Sequence, residues 1–206
     1  MNNNSEPFQV KRGKKEMTET TKIIQALCYF LTKIKCADKL TLVKLLFLAD
    51  KYHLIRYGRT ITNDEYWAMS YGPVGTAAKD ILSLDNDFLD EREYEYAKKK
   101  LKKVGKHIFE KGSSCDSDEF NMLSETDIEA LDFILEKFGK MNEKDLIEYT
   151  HKYPEWKQYK NLFKRNETKR ERIETAELLS VLKDDCLAMP PDHIERSSRI
   201  LTGTYD

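Results

Sequence analysis

Residues 39–82 read KLTLVKLLFLADKYHLIRYGRTITNDEYWAMSYGPVGTAAKDIL, and this stretch decides the fold. Asp38 stands just before it, where a carboxylate accepts backbone N–H bonds from the first turn of a helix. Gly58 supplies a left-handed stop at the far end. Between them Leu40, Leu42, Val43, Leu45, Leu46, Phe47, Leu48 and Ala49 leave the helix apolar nearly all the way round. Such a helix belongs in the centre of a domain, packed on several sides. From Ile61 to Tyr71 the chain is rich in Thr, Tyr and Trp, and Trp67, Met69 and Tyr71 alternate with Tyr66, Ala68 and Ser70. That period of two predicts an extended segment with apolar groups on both faces. Gly72-Pro73 ends it. Pro73, with φ fixed and no N–H to satisfy, is expected to open a helix running to about Leu84.

Working outward, Ile23, Ile24, Leu27, Phe30 and Leu31 form a helical stripe in a segment starting near Thr18. Residues 1–17, with Lys11, Arg12, Lys14 and Lys15, have little to bury and read as a mobile basic arm. Downstream, Tyr94 to Val104 favours helix, and Lys106–Lys111 with Glu119–Leu123 suggests a short hairpin across Gly112–Asp118. Ser124 and Asp127 resemble a capping box for a helix that Gly139 stops. Asn142 caps another through Thr150, and Pro154 starts a short one carrying Trp156, Tyr159 and Phe163. Asn166 to Arg172 is polar and reads as exposed, a last helix covers about Thr175 to Leu182, and Pro190-Pro191 marks a tail over 186–206. The expectation is an α+β fold, mainly α: one domain over residues 18–185, a helical body around a central buried helix with a small β-hairpin element.

The 35 Lys and Arg against 36 Asp and Glu leave a net charge of −1, so no global field points to nucleic acid or an anionic membrane. Cys28, Cys36, Cys115 and Cys186 form no C-x-x-C pair and do not resemble a disulfide framework, which suits a reducing cytoplasm. The first residues lack the apolar core of a signal peptide, and the most apolar run, Ile23 to Leu31, is too short to span a bilayer.

Three patches then stand out in order: Leu42–Asp50 with Tyr52-His53-Leu54, then Ala68–Val74 with its Tyr71-Gly72-Pro73, then Tyr149-Thr150-His151 followed by Trp156. Together they resemble the Panacea domain, the SocA-like antitoxin family of bacterial and prophage toxin–antitoxin pairs, over roughly residues 20–185. The resemblance marks Asp50, Tyr52, His53, Tyr71, Gly72, Pro73, Thr150, His151 and Trp156 as family-motif positions. It implies a protein that neutralises a cognate toxin by direct contact, or in one branch hands the toxin to a protease, with no catalysis and no cofactor. The lysine-rich segment around 91–106 and the basic arm depart from the family pattern.

Two other function classes have residues to offer. Asp50 and His53, three apart on the central helix, share a face, and with His151 they are the candidates for a metal site or hydrolase. A buried Asp satisfied by hydrogen bonds is the favoured reading. No G-x-S-x-G elbow, P-loop or G-x-G-x-x-G is present. The run Lys98, Lys99, Lys100, Lys102, Lys103 and Lys106 is the candidate for DNA binding. Glu91, Glu93 and Glu95 precede it, an order that also stabilises a helix by itself, so a solvated face is favoured over a patch for an acidic partner and that over nucleic acid. Arg56, Arg59, Asn63, Glu65, Lys99, Lys102 and Lys103 are the candidate partner-binding residues.

Overall fold

A computed structural model describes residues 14–85, 87–115 and 120–204, with side chains from residue 19 onward. The central helix forms as the sequence dictates. Helix α2 spans Lys39–Tyr57, follows helix α1 (Lys14–Ile34) and strand β1 (Cys36–Asp38), and every residue from Thr41 to Ile55 is buried. Asp38 accepts from the Thr41 N–H, and Gly58 adopts φ 74° and donates to the Leu54 carbonyl. Helices α5 (Glu125–Phe138), α6 (Glu143–Thr150) and α9 (Pro191–Thr202) pack around α2, which explains why it has no polar face.

Two small antiparallel sheets complete the fold, more β-structure than a single hairpin. One orders β1, β5 (Ile108–Lys111) and β4 (Leu101–Lys103); Phe109 opposes Ala37 on one side and Lys103 on the other. The other orders β3 (Gly72–Gly75), β2 (Tyr66–Met69) and β6 (Arg170–Ile173), with Trp67 opposite both Val74 and Arg172.

Several expectations need correction. Pro73 does not open a helix: it lies in β3, at a sheet edge, where a residue without an N–H costs no ladder bond. Helix α3 (Thr76–Ile81) begins three residues later, and its cap comes from outside, because the Asp64 carboxylate accepts from the N–H groups of Ala77 and Ala78 at 2.9 and 3.0 Å. The extended segment shrinks to β2, because Ile61 and Thr62 turn to satisfy Asp50. The hairpin lies one strand earlier. Helix α4 (Glu91–Lys100) stops at Leu101, and β4 returns through Val104–His107 into β5. Residues 116–119, the end of the expected loop and the first residue of the expected second strand, lie outside the described residues. The polar stretch near Arg170 supplies β6, and the Thr175 segment is a short 3-10 helix, Thr175–Leu179.

Two short helices, α7 (Pro154–Lys157) and α8 (Lys160–Lys164), precede β6, and the segment read as a tail carries α9. Pro191 sits in its first turn, the position where proline favours helix, and the helix docks on α2. His193 Nε2 lies 2.8 Å from the Arg56 carbonyl, and Ser197 Oγ donates to the Ile55 carbonyl at 2.7 Å. At the other end α1 takes in Lys14 to Met17, the last residues read as an arm; residues 1–13, with Lys11 and Arg12, lie outside the described residues. Cys28 and Cys115 form a buried disulfide with Cα atoms 6.1 Å apart, where the sequence suggested four unpaired thiols. They lie 87 residues apart in sequence and meet because α1 packs on β5, just before Cys115, a proximity that spacing alone does not reveal.

Candidate functional site

The three sequence patches meet at the Tyr71-Gly72-Pro73 turn. Lys44, fully buried on α2, donates from Nζ to the Pro73 carbonyl at 2.6 Å, and burial pushes its amine down to about 7. Gly72 has φ 102°, and a Cβ there would lie 2.5 Å from Lys44 Nζ and 3.0 Å from Thr150 Oγ1. Glycine is therefore required both by conformation and by space. Trp156 Nε1 donates to the Met69 carbonyl at 2.7 Å, and His151 stacks flat on the Trp156 indole with ring centres 3.4 Å apart. Burial, then the charges of Lys44 and Lys160, push the His151 ring down to about 4, and its Nε2 has no hydrogen-bond partner among the described residues. These groups fasten the main chain on both sides of the turn. Tyr71 itself points outward, 66% exposed.

Asp50 and His53 turn to different partners. Asp50, fully buried, accepts from the N–H groups of Ile61 and Thr62 at 2.8 and 3.0 Å, from the Thr62 hydroxyl, and from the Tyr66 hydroxyl at 2.7 Å. Burial raises its pKa and these four hydrogen bonds oppose the rise. His53 Nδ1 lies 2.8 Å from the Arg59 carbonyl, and Nε2 lies 3.1 Å from Thr126 Oγ1 and 3.2 Å from Asp127 Oδ1. Burial lowers its pKa, against the neighbouring Asp127 carboxylate, which raises it. His151 is engaged elsewhere, on Trp156. Among the described residues no group of three or more His, Cys, Asp or Glu is placed to hold a metal ion. Tyr52 is buried and stacks on Phe133 with ring centres 4.3 Å apart.

A groove of about 690 Å³ opens beside the turn, at the N-terminal end of α2. Leu40 and Val43 of α2, Met69 of β2, Val74 of β3, Leu82 after α3 and Phe109 of β5 make it apolar, and Tyr71 stands at its edge. Lys39, Lys79, Lys103, Lys106 and His107 surround it. Lys39 Nζ donates to Ser83 Oγ at 2.8 Å, and its amine is pushed down to about 8 by burial, then by the charge of Lys79, with Asp80 opposing and Lys103 adding.

Of the expected partner-binding residues, the structure brings Lys103 to this groove. Lys99 is exposed, and Lys102 is 3.5 Å from Glu110. Arg56 pairs with Glu129 at 3.2 Å and Arg59 with the buried Asp127 at 3.0 Å, both at the opposite end of α2, roughly 25 Å away at 1.5 Å per residue. Asn63 donates to Glu19 at 2.9 Å, and Glu65 lies 3.5 Å from Arg172. The lysine run is divided, because Lys100 is buried and donates to the Ser114 carbonyl.

Sequence reasoning missed the buried cations. Lys51 donates to Glu155 Oε1 at 2.7 Å and to the Leu178 and Ser180 carbonyls at 2.9 and 2.6 Å, beneath the Tyr153 ring. The available signal was a lysine at positions 44 and 51 of a helix with no polar face. The groove lysine at 79 carried no such signal, because its placement depends on the α3 boundary, while Lys106 was read only as part of the lysine run.

No helix among the described residues is long and apolar enough to cross a membrane. No curated protein and no solved structure matches the chain. The family model described as the antitoxin SocA-like Panacea domain matches residues 42–157, from α2 through α7 (Pro154–Lys157), and so takes in all three patches that converge on the turn. The chain belongs to the SocA-like antitoxin family, the Panacea domain.

Proposed function

We propose that this protein is the antitoxin of a bacterial or prophage toxin–antitoxin pair, acting in the cytoplasm by binding its toxin directly and turning over no substrate. The observation that carries this reading is the family match across residues 42–157. Its motif residues are consumed in holding the fold: Asp50, His53, Gly72, Thr150 and Trp156 all have internal roles, which suits a scaffold that displays a surface. To silence a toxin the affinity should approach 1 nM, about −12 kcal/mol. An interface of standard size, roughly 1,600 Å² in total with a few anchoring side chains, supplies that. The toxin is neutralised by occlusion of its active site or by capture of an inactive conformation; delivery to a protease is the second route.

Co-expression with the product of the adjacent open reading frame tests this. The expected result is rescue of growth and a stable complex on gel filtration. A toxic neighbour that is neither rescued nor bound overturns it. Binding of a DNA duplex with a steep loss of affinity in salt would instead favour the lysine run as a nucleic-acid site.

A further inference from the structure

We propose that the groove beside Tyr71 is the toxin-docking site, and that it receives a toxin segment in which apolar side chains are flanked by carboxylates. This rests on the antitoxin reading above and adds the location and the chemistry of the partner. The floor supplies the first half of the argument. Leu40, Val43, Met69, Val74, Leu82 and Phe109 line about 690 Å³, within the roughly 300–1,000 Å³ range of sites that enclose a ligand and with room for more than one side chain. The apolar surface continues past the groove. Tyr71, the most exposed large apolar side chain among the described residues (66%), stands at its edge, and Lys103, Lys106 and His107 carry the lining onto the β4–β5 hairpin. A footprint that runs from a pocket onto a hairpin fits a polypeptide better than a small molecule.

The rim supplies the second half. The chain as a whole carries −1, yet Lys39, Lys79, Lys103 and Lys106 surround this groove against Asp38 and Glu143. Asp38 is already committed, accepting from Thr41 N and Thr41 Oγ1 at 2.8 and 2.6 Å. Lys79 has Asp80 only at 3.6 Å, and neither Lys103 nor Lys106 has an acidic partner within 4.0 Å among the described residues. Like charges crowded around an apolar floor repel one another, and incoming carboxylates relieve that repulsion; the Lys39 amine is lowered first by burial and then by the charge of Lys79. A phosphate backbone would meet the same lysines but would leave the apolar floor unused, so an acidic, apolar protein segment is the better match.

The test uses the full chain and the adjacent open reading frame's product, with Kd measured by interferometry at low and high salt. K79E/K103E/K106E and Tyr71→Ala are each expected to weaken binding at least tenfold while their melting temperatures stay near wild type. K164E/K169E, on exposed lysines that do not line the groove, is expected to leave Kd unchanged. Above about 0.5 M salt the wild type should approach the triple variant, because exposed charge pairs are then screened. Wild-type binding with unchanged Kd in both groove variants overturns this site while leaving the antitoxin reading intact. Absence of any wild-type binding overturns the antitoxin reading and the docking site with it. A random 20-bp DNA duplex that binds the wild type and is lost in the triple variant overturns the choice of a protein partner.

Discussion

Replacing Asp50 separates a structural carboxylate from a functional one. Its two oxygens accept four hydrogen bonds, two from the main chain at Ile61 and Thr62 and two from the Thr62 and Tyr66 hydroxyls, all out of contact with water. In Asp50→Asn one oxygen survives to hold the two N–H groups, but the other becomes an NH₂ facing two hydroxyls that had been donating to it. Loss of two bonds to a charged acceptor costs about 1.5–3 kcal/mol each. Removing the buried charge returns part of that, since burial already disfavours the ionised form here. The net expectation is a destabilisation of roughly 2–4 kcal/mol. Asp50→Ala strands all four donors, at about 1–3 kcal/mol for each unsatisfied group, and should exceed roughly 4 kcal/mol. For a chain of this size 1 kcal/mol moves the melting temperature by about 2–4 °C, so the asparagine variant should melt about 5–15 °C lower and the alanine variant lower still. The assay is thermal unfolding by circular dichroism, paired with toxin binding measured well below both transitions. Binding should survive in the folded fraction of Asp50→Asn. A variant that melts with the wild type yet no longer binds would show that Asp50 serves the partner, and the structural assignment would be wrong.

Other outcomes follow from the buried cations and the cysteines. Glu155→Gln leaves the fully buried Lys51 ammonium without its counter-charge and should cost about 3–5 kcal/mol, whereas Lys51→Met/Glu155→Leu should cost less than the two single changes summed; strictly additive melting shifts would refute the pairing. Lys44 has a folded pKa of about 7 against an ordinary 10.5, so between those values the unfolded chain binds the extra proton and stability rises with pH, by up to about 1.4 kcal/mol per pH unit from this group. Denaturant unfolding from pH 7 to 9 should therefore show a steeper rise in wild type than in Lys44→Met, and parallel curves would sink the assignment. Alkylation of the unfolded protein without reductant should label Cys36 and Cys186 alone, and with reductant all four cysteines. Four labels in both cases would remove the Cys28–Cys115 bond.

The sequence was most informative where one local rule acted alone. The cap at Asp38, the stop at Gly58 and the capping box at Ser124 and Asp127 each depend on residues within one turn, and each forms. It misled where a distant group decided the outcome. Pro73 has the chemistry of a helix opener, but the main chain there is held in a strand by Lys44 from α2 and by pairing with β2, while Asp64 starts the helix later. Asn166–Arg172 looks like loop because its side chains are polar, yet the edge strand Arg170–Ile173 needs only main-chain partners, and β2 provides them. The candidate site divides in the same way. The patches announced that Gly72, Thr150 and Trp156 matter, but only the fold shows that they surround one turn. The groove was illegible because its floor and rim come from separate elements whose boundaries near Thr76 and Leu101 were set by tertiary contacts.

How the turn is held bears on what the docking surface can tolerate. Lys44 and Trp156 both grip main-chain carbonyls, those of Pro73 and Met69, and neither bond involves a side chain that faces the groove. Tyr71 lies between these two anchored residues, so its backbone is fixed while its side chain is free to differ. Lys79, Lys103 and Lys106 are likewise outside the buried network, and substitutions at exposed positions of this kind usually shift stability by less than about 0.5 kcal/mol. Fold and recognition thus rest on separate residues. If the groove is the docking site, changes at its rim should redirect partner choice without unfolding the scaffold, whereas changes at Lys44, Gly72 or Trp156 should lose every partner together by disordering the turn. A rim variant that unfolds, or a Gly72 variant that keeps full affinity, would contradict that separation.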